Sequence, residues 1–172
     1  MTILKILKEP DPILRKKSKE VDKVDDQVRL LMDNMIETMY QAPGIGLAAS
    51  QVGILKRIIV IDLSKDDGKK NPIFIVNPKI IWKSEERSSR EEGCLSLPGY
   101  FAEVTRPSKC KLEFLDYHGK KKELDADDLM ATCIQHEVDH CDGILFIDYL
   151  SKLKKDMIIK KLIKSKKEDQ IL

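Results

Sequence analysis

The pentapeptide His136-Glu137-Val138-Asp139-His140 does its chemistry only on a helix. There the two histidines stand one turn apart on one face, so both imidazoles reach the same ion, with Glu137 beside them as an acid or base. The alternative is an exposed helical segment with two solvated histidines. The glutamate directly after the first histidine weighs against it, since that order is the one a hydrolytic metal helix needs. Such sites take a third protein ligand and leave the fourth position to water. The chain therefore has to bring another donor to this face.

His118 is one candidate, but Asp116-Tyr117-His118-Gly119 reads as a turn between two strand-like runs, where a histidine is ordinarily solvated. Cys94 is better placed. It lies in Glu92-Gly93-Cys94-Leu95-Ser96-Leu97-Pro98-Gly99, where glycines flanking a short apolar segment suggest a bent backbone that approaches another group closely. The plain alternative is an inert buried thiol, and that is the reading given to Cys110, Cys133 and Cys141 as free cysteines. A third unusual segment is Gly44-Ile45-Gly46-Leu47-Ala48-Ala49-Ser50-Gln51-Val52-Gly53. Its small residues let a backbone or a substrate come near, and Gln51 offers an amide that can donate to a developing negative oxygen. The glycine spacing is wrong for a phosphate loop and no Lys-Ser/Thr follows, so a tightly packed turn into a helix is the competing assignment.

Taken in order, Gly44 to Gln51, Glu92 to Ser96 and Gln135 to His140 resemble the three signature motifs of the peptide deformylases. The runs Ile6 to Arg15 and Gly143 to Leu150 are also similar to that family, so the resemblance extends from about residue 3 to about residue 155. It implies that Cys94, His136 and His140 hold one divalent metal, ferrous iron natively, with zinc, nickel or cobalt possible in purified protein. It also implies that Glu137 moves the water proton, and that the Gln51 amide and the Leu95 backbone N–H stabilise the negative oxygen formed on a formamide. Ile45, Gly46, Gly93, Leu129, Thr132 and Cys133 match the pocket for the methionine side chain of an N-formylmethionyl nascent peptide. Glu92 and Arg106 match a charge pair that braces the cysteine loop. Thr132 is more polar than the branched aliphatic residue of some relatives, and Gly99-Tyr100-Phe101 lacks an arginine that some relatives carry. The implied reaction is hydrolysis of the formyl group to formate and a free N-terminus. A zincin-type peptidase shares the helix motif but not the cysteine ligand. A non-catalytic binder of formylated peptides would be expected to have lost Glu137.

With 172 residues, 42% hydrophobic and 35% charged, the chain can bury one sizeable core and is expected to form one domain. No N-terminal apolar leader and no long uncharged apolar stretch is visible, and the cysteine spacing is irregular, so a reducing bacterial cytoplasm is the expected location. Neither DNA nor a membrane is expected as a partner. Apolar spacings of three and four over Asp25 to Gln41 predict an amphipathic helix. Arg57 to Leu63 and Ile73 to Val76 read as strands around a turn at 66–70, and Cys110 to Tyr117 with Lys121 to Leu124 as a hairpin. Asp127 or Asp128 can cap the metal-binding helix, which should stop before Gly143. Strands in runs with few helices between them predict an α+β fold. Its expected form is antiparallel sheets around a central metal-binding helix, with an N-terminal and a C-terminal helix.

Charge is uneven along the chain. Residues 151–172 hold eight lysines against Asp156, Glu168 and Asp169, a net of +5, which leaves −3 on residues 1–150. Residues 1–150 are thus read as the catalytic body and 151–172 as a basic helical tail of the same domain. Leu150, Leu153 and Met157 share one helical face and are expected to dock, with Ile159 and Ile163 on nearly the opposite side. The tail is either a solvated helix or, as in some deformylases, a contact with ribosomal RNA.

Overall fold

In a computed structural model that describes residues 2–64 and 68–171, strand Ile58–Ile61 is buried at every position and divides the core in two. Continuous burial of Ile-Ile-Val-Ile means that both faces of the sheet are covered. Ile59 and Ile61 pack with Ile75, Leu112, Ile134 and Val138 on one side, while Ile58 and Val60 pack with Val28, Met32, Met35 and Met39 on the other. The methionines belong to helix α1 (Asp26–Gln41), which Asp25 opens by accepting a 2.9 Å bond from the Val28 N–H.

The strands follow in the order β1 (Gly46–Ala48), β2 (Ile58–Ile61), β3 (Ile73–Lys83), β4 (Arg87–Cys94), β5 (Leu97–Pro107), β6 (Lys109–Leu115) and β7 (Lys121–Asp127). Among the described residues, β1, β2, β3, β6 and β7 form one antiparallel sheet in that spatial order, and β4 pairs with β5 as a separate hairpin. Helix α2 (Asp128–Cys141) lies between the sheet and the hairpin, and helix α3 (Lys152–Ile171) follows a short 3-10 turn at Phe146–Tyr149. The fold is α+β, as the run of strands suggests. Among the described residues no helix is long and apolar enough to cross a membrane.

Several local expectations need correction. β3 continues to Lys83 and β7 to Asp127, well past their apolar starts, and the hairpin β4–β5 had no counterpart in the sequence reading. Asp127 stands at the N-cap of α2, but its side chain makes no capping bond, and Asp128 enters the helix at φ +45°. Of the turn at 66–70, residues 66 and 67 lie outside the described residues. The docking face of α3 is also different. Ile158, Ile159 and Leu162 pack against Leu14, Phe146 and Ile147, whereas Leu153 is 73% exposed and Met157 49%. Only Leu150 of the expected face joins that cluster.

The far end of α2 is closed by the N-terminal segment. The Ser18 N–H donates to the Cys141 carbonyl at 2.8 Å, and Arg57 donates to the Cys141 carbonyl and to Asp142, a cation at the negative end of the helix. Gly143 then turns the chain at φ +75°, and a Cβ there would fall 2.4 Å from the Arg15 carbonyl oxygen. No other residue type fits that turn without moving the backbone.

Candidate active site

Helix α2 presents His136, Glu137 and His140 toward a cleft, where they are 8%, 4% and 0% exposed. Cys94 reaches them from the end of β4, where the pairing with β5 shifts register between Gly93 and Cys94. A bulge of that kind re-aims a side chain, and here it turns the sulfur toward the helix. Sγ of Cys94 lies 3.3 Å from Nε2 of His140, and donor atoms of Cys94, His136 and His140 all fall within 4.8 Å of one another. His118, the alternative donor, is exposed in the turn after β6.

Alternation along β4 puts Arg90 and Glu92 on one face, ahead of the bulge that re-aims Cys94. Glu92 accepts from Nε and Nη2 of Arg106 at 2.7 and 2.9 Å and meets Nδ1 of His136 at 2.9 Å. Arg106 also donates to Asp139 at 2.8 Å, and Tyr149 donates to the same carboxylate. The pair Glu92–Arg106 thus ties the hairpin to α2, and leaves Nε2 of His136 turned to the cleft. Removing one member of such a buried pair typically costs about 3–5 kcal/mol.

The electrostatics suit a cation. Burial, followed by the charges of His136 and Arg106, holds His140 well below its ordinary range, so it is neutral with a free lone pair. For His136, burial works against the charged form, but Cys94 and Glu92 overcome it and raise the group well above its ordinary range. A pocket that favours a proton on a histidine so little exposed favours positive charge. Burial pushes Glu137 up to about 7, and its Oε2 has no hydrogen-bond partner among the described residues. A thiol and two imidazoles within 4.8 Å of one another are the donor chemistry of a borderline divalent metal, so the residues fit one.

Gln51 is 1% exposed at the end of the 3-10 turn Ala49–Val52. Its Oε1 accepts from the Ala48 N–H at 2.9 Å, which aims Nε2 at Ser96 Oγ (3.1 Å) and Cys94 Sγ (3.4 Å). The Leu95 N–H donates to no acceptor among the described residues. Both small-residue segments are tight for a reason. A Cβ on Gly46 would come 3.1 Å from Oε1 of Glu137, and one on Gly93 would come 2.5 Å from the Phe101 ring.

The cleft measures about 620 Å³ and is lined by Ile45, Gly46, Gly93, Leu129, Thr132 and Cys133 together with Gln51, Cys94, Leu95, His136 and Glu137. Every pocket position expected from the sequence lies here. Thr132 turns its hydroxyl back to the Asp128 carbonyl at 3.4 Å, so its polarity is partly spent on the helix backbone. Arg90 and Phe101 also line the cleft and were not foreseen. Reading β4 as a strand would have found Arg90, two residues before Glu92.

Residues 3–156 match the model of a family described as polypeptide deformylase. The chain belongs to that family. It is 60% identical to the peptide deformylase of Pelagibacter ubique over 166 residues, 96% of each chain, and 52% identical to that of Rhizobium meliloti over 97% of this chain and 96% of the other. A crystal structure of the deformylase of Ehrlichia chaffeensis in complex with actinonin superposes with a TM-score of 0.92 at 44% identity, covering 96% of this chain and 98% of that one. Polypeptide deformylases are metal-dependent hydrolases that remove the N-formyl group from nascent peptides, and this chain is such an enzyme.

Proposed function

We propose that Cys94, His136 and His140 hold the metal of this deformylase and that Glu137 is its acid/base. The observation that carries the assignment is the convergence of the three donors within 4.8 Å, with a buried carboxylate beside them whose Oε2 has no hydrogen-bond partner among the described residues. When bound, a divalent ion supplies Lewis acidity and brings the pKa of water toward about 7. Glu137, with a pKa of about 7 before any ion is present, takes the proton of the attacking water and returns it to the departing amine. Gln51 Nε2 and the Leu95 N–H donate to the oxygen that becomes negative, and losing one such donor typically costs about 3–4 kcal/mol of barrier. The methionine side chain occupies the cleft between Ile45, Leu129, Thr132 and Cys133, with Gly46 and Gly93 also in its wall. Arg106 and Glu92 act by holding His136.

The thiolate and imidazole set accepts several metals, and ferrous iron is the native ion we assign, with air-sensitive activity better preserved by nickel or cobalt. Residues 1–150 form the catalytic body and 151–172 a basic helix of the same domain, working in the bacterial cytoplasm and touching ribosomal RNA through its lysines. The test is metal analysis of anaerobically purified variants alongside turnover of a formyl-Met peptide. Glu137→Ala should keep the metal and lose roughly 10²–10⁴-fold in turnover, whereas Cys94→Ala and His136→Ala should lose both. A Glu137→Ala variant without metal beside a fully loaded Cys94→Ala variant would overturn the assignment, and an air-stable, fully active zinc form would overturn the choice of iron.

A further inference from the structure

A second cavity, about 550 Å³, lies between the N-terminal arm, the end of α1 and helix α3. Its wall shares Ile6, Lys8, Ala42 and Pro98 with the wall of the catalytic cleft, so the two spaces adjoin. The substrate of a deformylase is the end of a chain that continues, and its residues beyond the first few have to leave the cleft in some direction.

The arm is pinned in a way that leaves some of its backbone groups unpaired. Its N–H groups at Thr2 and Leu4 donate to Asn34 and Thr38 of α1 at 2.9 Å, and those of Leu7 and Glu9 donate to the Gln51 and Ser96 carbonyls at 2.7 and 2.9 Å. Between these fixed points, the N–H groups of Lys5 and Ile6 and the carbonyls of Leu4 and Lys5 have no hydrogen-bond partner among the described residues. Such a backbone can pair with an extended peptide laid beside it. The floor is apolar, with Leu4, Leu7 and Leu162. The rim is basic, since Lys5, Lys8 and Lys166 are exposed and form no ion pair among the described residues. The two acids of the lining are already engaged, Glu9 by Arg15 at 3.6 Å and Asp11 by the Ile13 N–H at 3.0 Å.

We infer that this trough is an exosite for the downstream part of the nascent chain, taking an extended segment that alternates apolar and acidic residues after the third position. Apolar side chains face Leu4, Leu7 and Leu162, and carboxylates face the lysines. The inference rests on the placement of the formyl-methionine end in the catalytic cleft proposed above. It gives α3 a part in substrate binding, as one wall of the trough.

The experiment compares formyl-Met-Ala-Ser with formyl-Met-Ala-Ser-Leu-Asp-Leu-Glu-Leu and with formyl-Met-Ala-Ser-Leu-Lys-Leu-Lys-Leu on the metal-loaded enzyme. Binding of the same three peptides without the formyl group is measured by calorimetry. The acidic octapeptide should have a KM about tenfold below that of the tripeptide and should bind more tightly as product, with the advantage shrinking as salt rises. The lysine octapeptide should gain little. In K5E/K166E the advantage of the acidic peptide should disappear or pass to the lysine peptide, with the tripeptide serving as the control for folding. Equal KM and equal product affinity for all three peptides, or an acidic advantage untouched by K5E/K166E, would overturn the exosite. Absence of turnover on every peptide by the loaded enzyme would instead strike the assignment of the catalytic cleft.

Discussion

Helices α2 and α3 show how differently one chain can use the same secondary structure. Helix α2 has 14 residues and buries ten of them, including both histidines and Glu137. Helix α3 has 20 residues, and Leu162 alone is buried among its described side chains. Enclosure is what makes α2 chemical. Between a sheet and a hairpin its polar groups cannot reach water, so each must find a partner or carry a shifted pKa. Glu92, Arg106 and Asp139 meet that demand around His136, and Oε2 of Glu137 and Nδ1 of His140 are left without a hydrogen-bond partner among the described residues. Apart from Lys155, which pairs with Asp148, the lysines of α3 are exposed and meet no such demand, because water solvates them.

The contrast is sharpest in stability. Arg106→Met should destabilise the protein by about 3–5 kcal/mol in urea unfolding, because Glu92 would be left buried without its cation. Adding Glu92→Leu should recover much of that loss, and a double variant no more stable than the single one would show that the pair contributes more than mutual neutralisation. Next in size, Ile134→Ala in α2 should cost about 2–5 kcal/mol as a core truncation, while Leu162→Ala in α3 should cost about 1 kcal/mol, since the outer helix can shift to fill the gap. Equal costs would abolish the distinction between the two helices.

Asp148, in the 3-10 turn that joins them, accepts from Arg15 at 2.7 and 2.6 Å and pairs with Lys155 at 2.9 Å. Burial alone would raise its pKa, but the hydrogen bonds from Arg15 and Lys155 outweigh that and hold it below the ordinary carboxylate range. A depressed acid contributes stability that is present above its unfolded pKa, about 3.9, and is lost as pH falls through the lower folded value. Asp148→Asn should therefore flatten the loss of stability below about pH 4, seen in thermal melts across pH. The smallest effect on turnover is expected from removing residues 158–172, although stability should fall because Ile158, Ile159 and Leu162 leave the core with them. Turnover of a formyl-Met tripeptide should stay within about twofold while co-sedimentation with ribosomes at low salt decreases. Undiminished sedimentation would separate α3 from the ribosome.

What could be read from the sequence follows the same division. α1 was legible because burial of one face writes a period into its apolar residues, and β2 because burial of both faces writes an unbroken β-branched run. The metal helix was legible because its chemistry needs fixed residue types. β4 was not, because Arg87–Cys94 is Arg-Ser-Ser-Arg-Glu-Glu-Gly-Cys, a strand whose one buried residue is the charged Glu92. Its partner was hidden with it. The face of α3 was misread because apolar residues surround it, at Leu153, Met157, Ile158, Ile159, Leu162 and Ile163, and only the surface it meets selects among them. Arg90 fell with β4, since its direction depends on the strand's alternation. Cys94 was found from its flanking glycines, but the bulge that aims it is a property of the hairpin.

The closure of α2 against the start of the chain bears on when the enzyme comes into being. The helix with both histidines ends on the amide of Ser18, the turn after it packs against Arg15, and Arg15 also holds Asp148. Segments far apart in sequence must meet before the metal face has its final shape, and contacts of that kind form late. The centre is therefore assembled in one of the last steps of folding, so a chain in which only α1 and the first strands have collapsed should be inactive.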